Sequence, residues 1–246
     1  MKFGLIGYPL GHSFSKTYFT AKFHDLGLTG YAYDNFPLSG IEEVLPLLHS
    51  DLTGLNVTLP YKQDIITYLN DIDREAFHIG AVNVLARTGQ YSWKGFNTDA
   101  SAFRESLVTW LGNRSMPMKA LILGSGGAAR AVSHALTGLG IHPSIVSRRG
   151  NGDYQYSQLS PGVFKDHLLI VNTTPLGMEP DIMSCPDIPY EQITSQHWLY
   201  DLVYNPGNTL FLTRGKQSGA KIKNGLEMLH LQAEHAWSIW KLYGKF

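Results

Sequence analysis

The run Lys119-Ala120-Leu121-Ile122-Leu123 and the turn after it, Gly124-Ser125-Gly126-Gly127-Ala128-Ala129, restrict the fold more than any other stretch. Four apolar residues in a row suit a strand buried on both faces, as in a parallel sheet. The turn follows the G-x-G-x-x-G/A pattern. Gly124 permits a tight turn, Gly126 lets a diphosphate approach the backbone, and Ala129 fills the third small position. A helix opening here directs free N–H groups and its positive dipole end at phosphate. A glycine turn without ligand is the plain alternative, but strand before and helical pattern after favour a nucleotide. Gly124, Ser125, Gly126, Gly127 and Ala128 are thus expected cofactor contacts.

The next strand, expected over 144–146, runs into Ser147-Arg148-Arg149. A site for NAD usually carries an acidic residue there for the ribose 2′-hydroxyl; a guanidinium fork suits the extra phosphate of NADP. Ser147, Arg148 and Arg149 are therefore expected at the adenosine end, with NADP as cofactor. Two solvated surface arginines are the competing explanation.

Bulk properties narrow the function classes. The chain of 246 residues is long enough for two domains with cores of their own. Twenty basic and twenty acidic residues leave no cationic excess for nucleic acid or an anionic membrane surface. No apolar run approaches a membrane span. One cysteine, Cys185, excludes an internal disulfide. With no export signal at the start, this points to the cytoplasm. His230 and His235 stand five apart, a poor spacing for one helix face, so no metal is expected.

The first hundred residues alternate strands with helices: strands over 2–6, 31–36 and 55–58, and helices over 15–26 and 40–48. Ser39 is the expected cap of the second helix, Pro46 a bend or an end to its regular part, and Pro60 the first turn of another helix. A hairpin over 82–95, turning at Thr88-Gly89-Gln90, adds one antiparallel element to a mostly parallel sheet. A helix over 98–111 leads to a turn-rich joint at 112–117. Beyond it, a helix to residue 139 and strands over 168–172, 198–203 and 220–223 complete a second α/β region. Residues 150–160 show no helical period. A final helix over 225–243 places Leu226, Leu229, Ala233, Ala236 and Trp240 on one side.

Polar residues gather at the strand ends of the first region. In Asn56-Val57-Thr58-Leu59-Pro60-Tyr61-Lys62, an amide, a hydroxyl and an ammonium converge, the equipment to hold a polyhydroxylated small molecule and move a proton on it. Ser13 and Ser15 face one way if extended, though either could cap a helix. Asn83 follows small residues that allow close approach, and Asp99 stands at a helix start. Each alone has an ordinary structural role; together they argue for a site. With a nucleotide loop beside them, the chemistry suggested is that of a dehydrogenase.

The chain resembles the shikimate dehydrogenases over nearly its full length. The matching stretches are Ser13-Phe14-Ser15, Asn56 to Lys62, Gly80-Ala81-Val82-Asn83, Gly95-Phe96-Asn97-Thr98-Asp99, Gly124 to Ala128, Asn172-Thr173-Thr174-Pro175-Leu176-Gly177-Met178, Asp201-Leu202-Val203-Tyr204-Asn205-Pro206 and Asn224-Gly225-Leu226-Glu227-Met228-Leu229. The resemblance implies reversible NADP-linked reduction of 3-dehydroshikimate to shikimate in aromatic amino-acid biosynthesis. It implies a mostly parallel α/β substrate domain (1–99, completed by 225–246), a Rossmann-like NADP domain (100–224) and an active site in the cleft between them. Ser13, Ser15 and Tyr204 correspond to partners of the substrate carboxylate; Thr58, Asn83, Asp99 and Gln232 to partners of its hydroxyls and ring oxygens; Lys62 and Asp99 to the catalytic pair. Leu202 and Gly225 fall at the nicotinamide end, and Thr174 and Met178 in a motif lining the cofactor side. Departures are Val84 for the usual threonine, Ser147-Arg148-Arg149 for the usual Asn-Arg-Thr, and a shortened stretch between Arg149 and Leu168, where a helix is expected to be lost or reduced.

The chemistry leaves alternatives open. Lys62 either transfers the proton or only orients substrate. Use of quinate as well as shikimate, with NAD or NADP, is a rival activity, and a non-catalytic NADP-binding sensor is a rival class. The partner expected is a small molecule, with the chain a monomer or homodimer.

Overall fold

The computed structural model describes residues 1–11, 14–112, 118–148 and 150–243. Contacts divide the chain into two compact units, Met1–Thr98 with Ala233–Phe246, and Asp99–Gln232.

The first unit is built on six strands: β1 (Lys2–Gly7), β2 (Ala32–Pro37), β3 (Leu52–Val57), β4 (Asp71–Ile72), β5 (Val84–Arg87) and β6 (Trp93–Phe96). Their order is β2-β1-β3-β5-β6-β4, and β5 alone runs antiparallel to its neighbours. Alternation along each strand feeds two cores. Ile6, Leu55, Val57 and Leu85 join Val44, Ile65, Val82 and Trp93 on one face. Phe3, Val84 and Phe96 join Phe19, Phe23, Tyr33, Trp237 and Trp240 on the other. The helices here are α1 (Phe14–Asp25), α2 (Val44–Leu48) and α3 (Arg74–Ile79). Trp240 is fully buried, and its indole N–H donates to the Leu85 carbonyl at 3.0 Å.

The second unit contains α4 (Asp99–Leu111), β7 (Lys119–Leu123), α5 (Gly127–Gly138), β8 (His142–Val146), α6 (Pro161–Asp166), β9 (Leu169–Asn172), β10 (Trp198–Asp201), α7 (Leu210–Gln217) and β11 (Lys221–Lys223). The last helix, α8 (Leu226–Tyr243), begins in this unit and ends in the first. All five strands are parallel, ordered β11-β10-β9-β7-β8. After β7 the chain goes to one side for β8 and then crosses to the other for β9. The carboxyl ends of β7 and β9 thus flank a topological switch point, where open α/β sheets bind ligands.

Several local expectations need correction. Pro60 opens no α-helix: Leu59-Pro60 is cis, turns follow, and a 3-10 helix spans Asp64–Tyr68. The expected helix over 40–48 is a 3-10 turn (Ile41–Glu43) continued by α2. Ser39 does not cap it; its N–H instead donates to the Glu43 carboxylate at 3.1 Å. Pro46 falls in the first turn of α2, where a missing N–H costs no helical bond. α3 and α7 were unforeseen; at six and eight residues they are too short to display a helical period. In the final helix Leu226 is exposed, while Met228 and Trp237 join Ala233, Ala236 and Trp240 in burial. Of the supposed joint at 112–117, residues 113–117 lie outside the described residues, and the contacts divide the chain at Thr98 instead.

Candidate active site

Parallel pairing brings the carboxyl ends of β1 and β3 side by side. A Cβ on Gly7 would come within 2.4 Å of the Thr58 methyl, so only glycine lets Thr58 sit there. Thr58 N–H donates to the Ile6 carbonyl (2.9 Å), and Tyr61 N–H to the Thr58 carbonyl (3.1 Å), which closes the turn leading to Lys62. The Lys62 carbonyl in turn accepts from Val82 N–H at 2.7 Å.

Asn83 is the buried organiser of this corner. Its main chain bridges β3 and β6: its carbonyl accepts from Val57 N–H (2.8 Å), and its N–H donates to Phe96 (3.0 Å). The side-chain oxygen accepts from Thr98 N–H at 2.7 Å, and the amide N–H₂ donates to the Thr98 hydroxyl at 3.0 Å. Thr98 precedes Asp99, which is 6% exposed and opens α4. The backbone bearing Lys62 and the backbone leading into Asp99 are therefore tied to two consecutive residues, Val82 and Asn83. The sequence shows the motifs; this shared anchor appears only once the strands pair.

A second branch reaches Ser15. Tyr33 hydroxyl donates to the Asn56 side-chain oxygen at 2.7 Å, and the Asn56 amide lies 3.4 Å from the Asn83 carbonyl. Burial pushes the Tyr33 hydroxyl far above its ordinary range, opposed by a hydrogen bond from Ser15, so Tyr33 stays neutral. Tyr33 was not foreseen, because an aromatic residue on a strand reads as core. The Asn56 amide, expected to converge with Thr58 and Lys62 on a ligand, is instead bonded to Tyr33 and Asn83. Asn97 and Thr98 stood in the motifs without a role; Asn97 donates to the Ala81 carbonyl at 2.9 Å. Ser13 lies outside the described residues.

In the second unit the glycine turn follows β7 directly. Gly124 adopts φ +116°, and a Cβ there would meet the Thr173 hydroxyl at 2.7 Å, so both conformation and space demand glycine. Gly126 is the N-cap of α5, and a Cβ there would meet nothing, which leaves room against the exposed helix end. Ser125 and the buried Ser147 approach through their hydroxyls at 3.4 Å. Ser147 also donates to Asn151. Arg148 is exposed, and its charge partly offsets the burial that raises the Tyr156 hydroxyl. Arg149 lies outside the described residues. Among the described residues between here and β9 the helical elements are a 3-10 turn (Tyr156–Gln158) and the six-residue α6, in keeping with a reduced helix.

At the ends of β9 and β10 lies a second buried polar network. The amide of Asn172 donates to Asp201 Oδ1 at 2.9 Å, which also accepts from Val203 N–H at 3.0 Å. Asp201 Oδ2 accepts from the Thr209 hydroxyl at 2.6 Å. Burial pushes the Asp201 carboxyl up to about 6, against the opposing pull of these bonds. Gly225 N–H donates to the Val203 carbonyl, and a Cβ on Gly225 would sit 2.1 Å from the Leu202 carbonyl oxygen. Thus Leu202 and Gly225 are pressed together. Burial alone would raise the Glu227 carboxyl beyond that glycine, but hydrogen bonds from Lys223 and Ser106 hold it below its usual value.

Tyr204 is half-buried, which raises its hydroxyl; Met178 is 42% exposed; Gln232 donates to the Leu229 carbonyl at 3.0 Å. Among the described residues, no group of three or more His, Cys, Asp or Glu is placed to hold a metal, and no helix is long and apolar enough to cross a membrane.

Comparison with known proteins places the fold and the family. The family model for the shikimate dehydrogenase substrate binding domain matches residues 5–85. The shikimate dehydrogenase (NADP(+)) of Halothermothrix orenii is 36% identical, with 96% of this chain and 89% of that protein covered. The crystal structure of shikimate dehydrogenase 1 from Peptoclostridium difficile superposes with a TM-score of 0.84 at 33% identity, covering 98% of this chain and 91% of the other. The Thermus thermophilus shikimate 5-dehydrogenase, solved with NADP(H) and shikimate, gives 0.80 at 31% identity, covering 98% and 93%.

Proposed function

The chain belongs to the shikimate dehydrogenase family, and from that premise we propose that it catalyses the reversible NADP-linked reduction of 3-dehydroshikimate to shikimate, a step toward chorismate and the aromatic amino acids. The observation that carries the reading is the shared anchoring of Lys62 and the approach to Asp99 on Val82 and Asn83. It holds an ammonium-bearing and a carboxylate-bearing segment in register before any substrate arrives.

The residues present fit the cofactor. The tight turn at Gly124, the open surface at Gly126 and the start of a twelve-residue helix suit a diphosphate, and Arg148 after β8 suits a 2′-phosphate. Ser125, Gly127, Ala128, Ser147 and Arg149 would complete the phosphate and adenosine side, and Thr174, Met178, Leu202 and Gly225 the other end. NADPH, when bound, supplies the hydride to the C3 carbonyl carbon. Lys62 Nζ stabilises the negative charge that develops on the carbonyl oxygen and donates the proton there; in the opposite direction it receives that proton. Asp99, Asn83, Thr58 and Gln232 orient the ring through its oxygens, and Ser13, Ser15 and Tyr204 hold the carboxylate.

In this reading residues 1–99 with 225–246 serve substrate and 100–224 serve NADP; the division of contacts at Thr98 supports the first boundary, whereas residues 225–232 group with the second unit. The enzyme acts in the cytoplasm, as the single cysteine favours, as a monomer or homodimer. The test is absorbance of the reduced nicotinamide with shikimate and NADP, with NAD and quinate as controls. Rapid reduction of NADP by shikimate and much slower rates in the controls are expected. NADPH binding without turnover of shikimate would point to a sensor and overturn the proposal.

A further inference from the structure

Asp201 ends β10 with a fully buried carboxylate, and its three donors come from three separate segments: Asn172 at the end of β9, Val203 just past β10, and Thr209 at the cap of α7. Asn172 passes the constraint on. Its side-chain oxygen accepts from both the N–H and the hydroxyl of Thr174, at 3.0 and 2.6 Å. Val203 does likewise, since its carbonyl receives Gly225 N–H at 3.2 Å while Gly225 lies against Leu202. Three residues read above as lining the nicotinamide end are thus all referred to one carboxylate.

We propose that Asp201 is the positioning residue of the nicotinamide end, setting the mutual placement of Thr174, Leu202 and Gly225 through Asn172 and Val203. The inference rests on the assignment of those three residues to the cofactor. Both relays use Oδ1, whereas Oδ2 serves only the Thr209 cap. An asparagine at this position keeps the oxygen that matters; an alanine loses it and leaves buried donors unpaired. Bonds from rigid strand ends hold a wall to fractions of an ångström, and misplacement on the order of 1 Å costs roughly a hundredfold in rate.

The experiment compares Asp201→Ala, Asp201→Asn and Asn172→Ala with the parent enzyme, measuring kcat for shikimate oxidation and, by calorimetry, binding of adenosine 2′,5′-bisphosphate. That probe carries the adenosine end of the cofactor and lacks the nicotinamide. Asp201→Ala and Asn172→Ala should each lower kcat by about ten- to a hundredfold while the probe binds as in the parent; Asp201→Asn should recover most of the loss. Unchanged kcat in the first two overturns the proposal, and so does a parallel loss of probe binding, which marks a merely structural role. If Asp201→Ala fails to fold, Asn172→Ala decides, because it leaves Asp201 its bonds to Val203 and Thr209. A parent enzyme without shikimate turnover refutes the functional reading instead.

Discussion

Both units carry a buried polar network at the ends of their strands, yet the two differ in kind. Ser15, Tyr33, Asn56, Asn83 and Thr98 make a network of hydroxyls and amides, none charged while Tyr33 is neutral. The network around Asn172, Thr174 and Thr209 centres on a carboxylate. Neutral networks, once satisfied, fix geometry without a charge-desolvation cost. A buried carboxylate fixes geometry too, but it costs stability whenever it is ionised. The first unit should therefore hold its site rigidly at any moderate pH, and the second should feel the pH.

The largest effect expected is on chemistry in the first unit. Lys62→Ala should lower turnover by about a hundredfold or more with NADP binding intact if the amine handles the proton. A large rise in KM at unchanged kcat would assign Lys62 to binding alone. Next comes the pH test of the second unit. Asp201 titrates higher in the folded chain, at about 6, than the ~3.9 of an unfolded aspartate, so folding takes up a proton between those values. Stability from this group is greatest below pH 4 and falls as pH rises to 6. Burial, together with Cys185 and the Asp201 charge, raises the Tyr190 hydroxyl and keeps it neutral, against the opposing Arg214 guanidinium. Relative to the parent, Asp201→Asn should gain on the order of 2–3 kcal/mol between pH 4 and 7 in urea titrations. A difference that does not vary with pH would contradict the buried charge.

Gly225→Ala tests the close approach at Leu202. An added methyl must displace backbone, and about 1–3 kcal/mol of destabilisation or a comparable weakening of NADP binding is expected from melting curves and calorimetry. Smallest is Tyr33→Phe, which removes one buried donor and leaves the Asn56 oxygen short of a partner. It should cost about 1–2 kcal/mol, by the same amount at pH 5 and pH 8. A pH-dependent loss would blur the contrast between the two networks.

Much of the architecture was legible in the sequence, for reasons visible in particular residues. Leu121 to Leu123 announce a doubly covered strand, and Gly124 can adopt φ +116° where other residues could not do so cheaply. The short elements were not legible. Arg74–Ile79 and Leu210–Gln217 offer fewer than three turns of pattern, although the caps Asp73 and Thr209 were there to be noticed. Site motifs could be picked out because their polar residues cluster at strand ends. Their wiring could not, since nothing local to Val82 or Asn83 says that they anchor residues 62 and 98. Likewise the letter for Asp201 does not reveal that it is buried; only its pairing with Asn172, twenty-nine residues away in sequence, does so.

The most direct test is a side-by-side assay of the parent and Lys62→Ala at saturating NADP, following reduced nicotinamide as shikimate is added. The parent should generate NADPH steadily, and the variant should retain its cofactor affinity while its rate falls by about two orders of magnitude or more. Equal rates in the two proteins, or no NADPH from the parent, would contradict the claim that this corner of the first unit is where the proton moves.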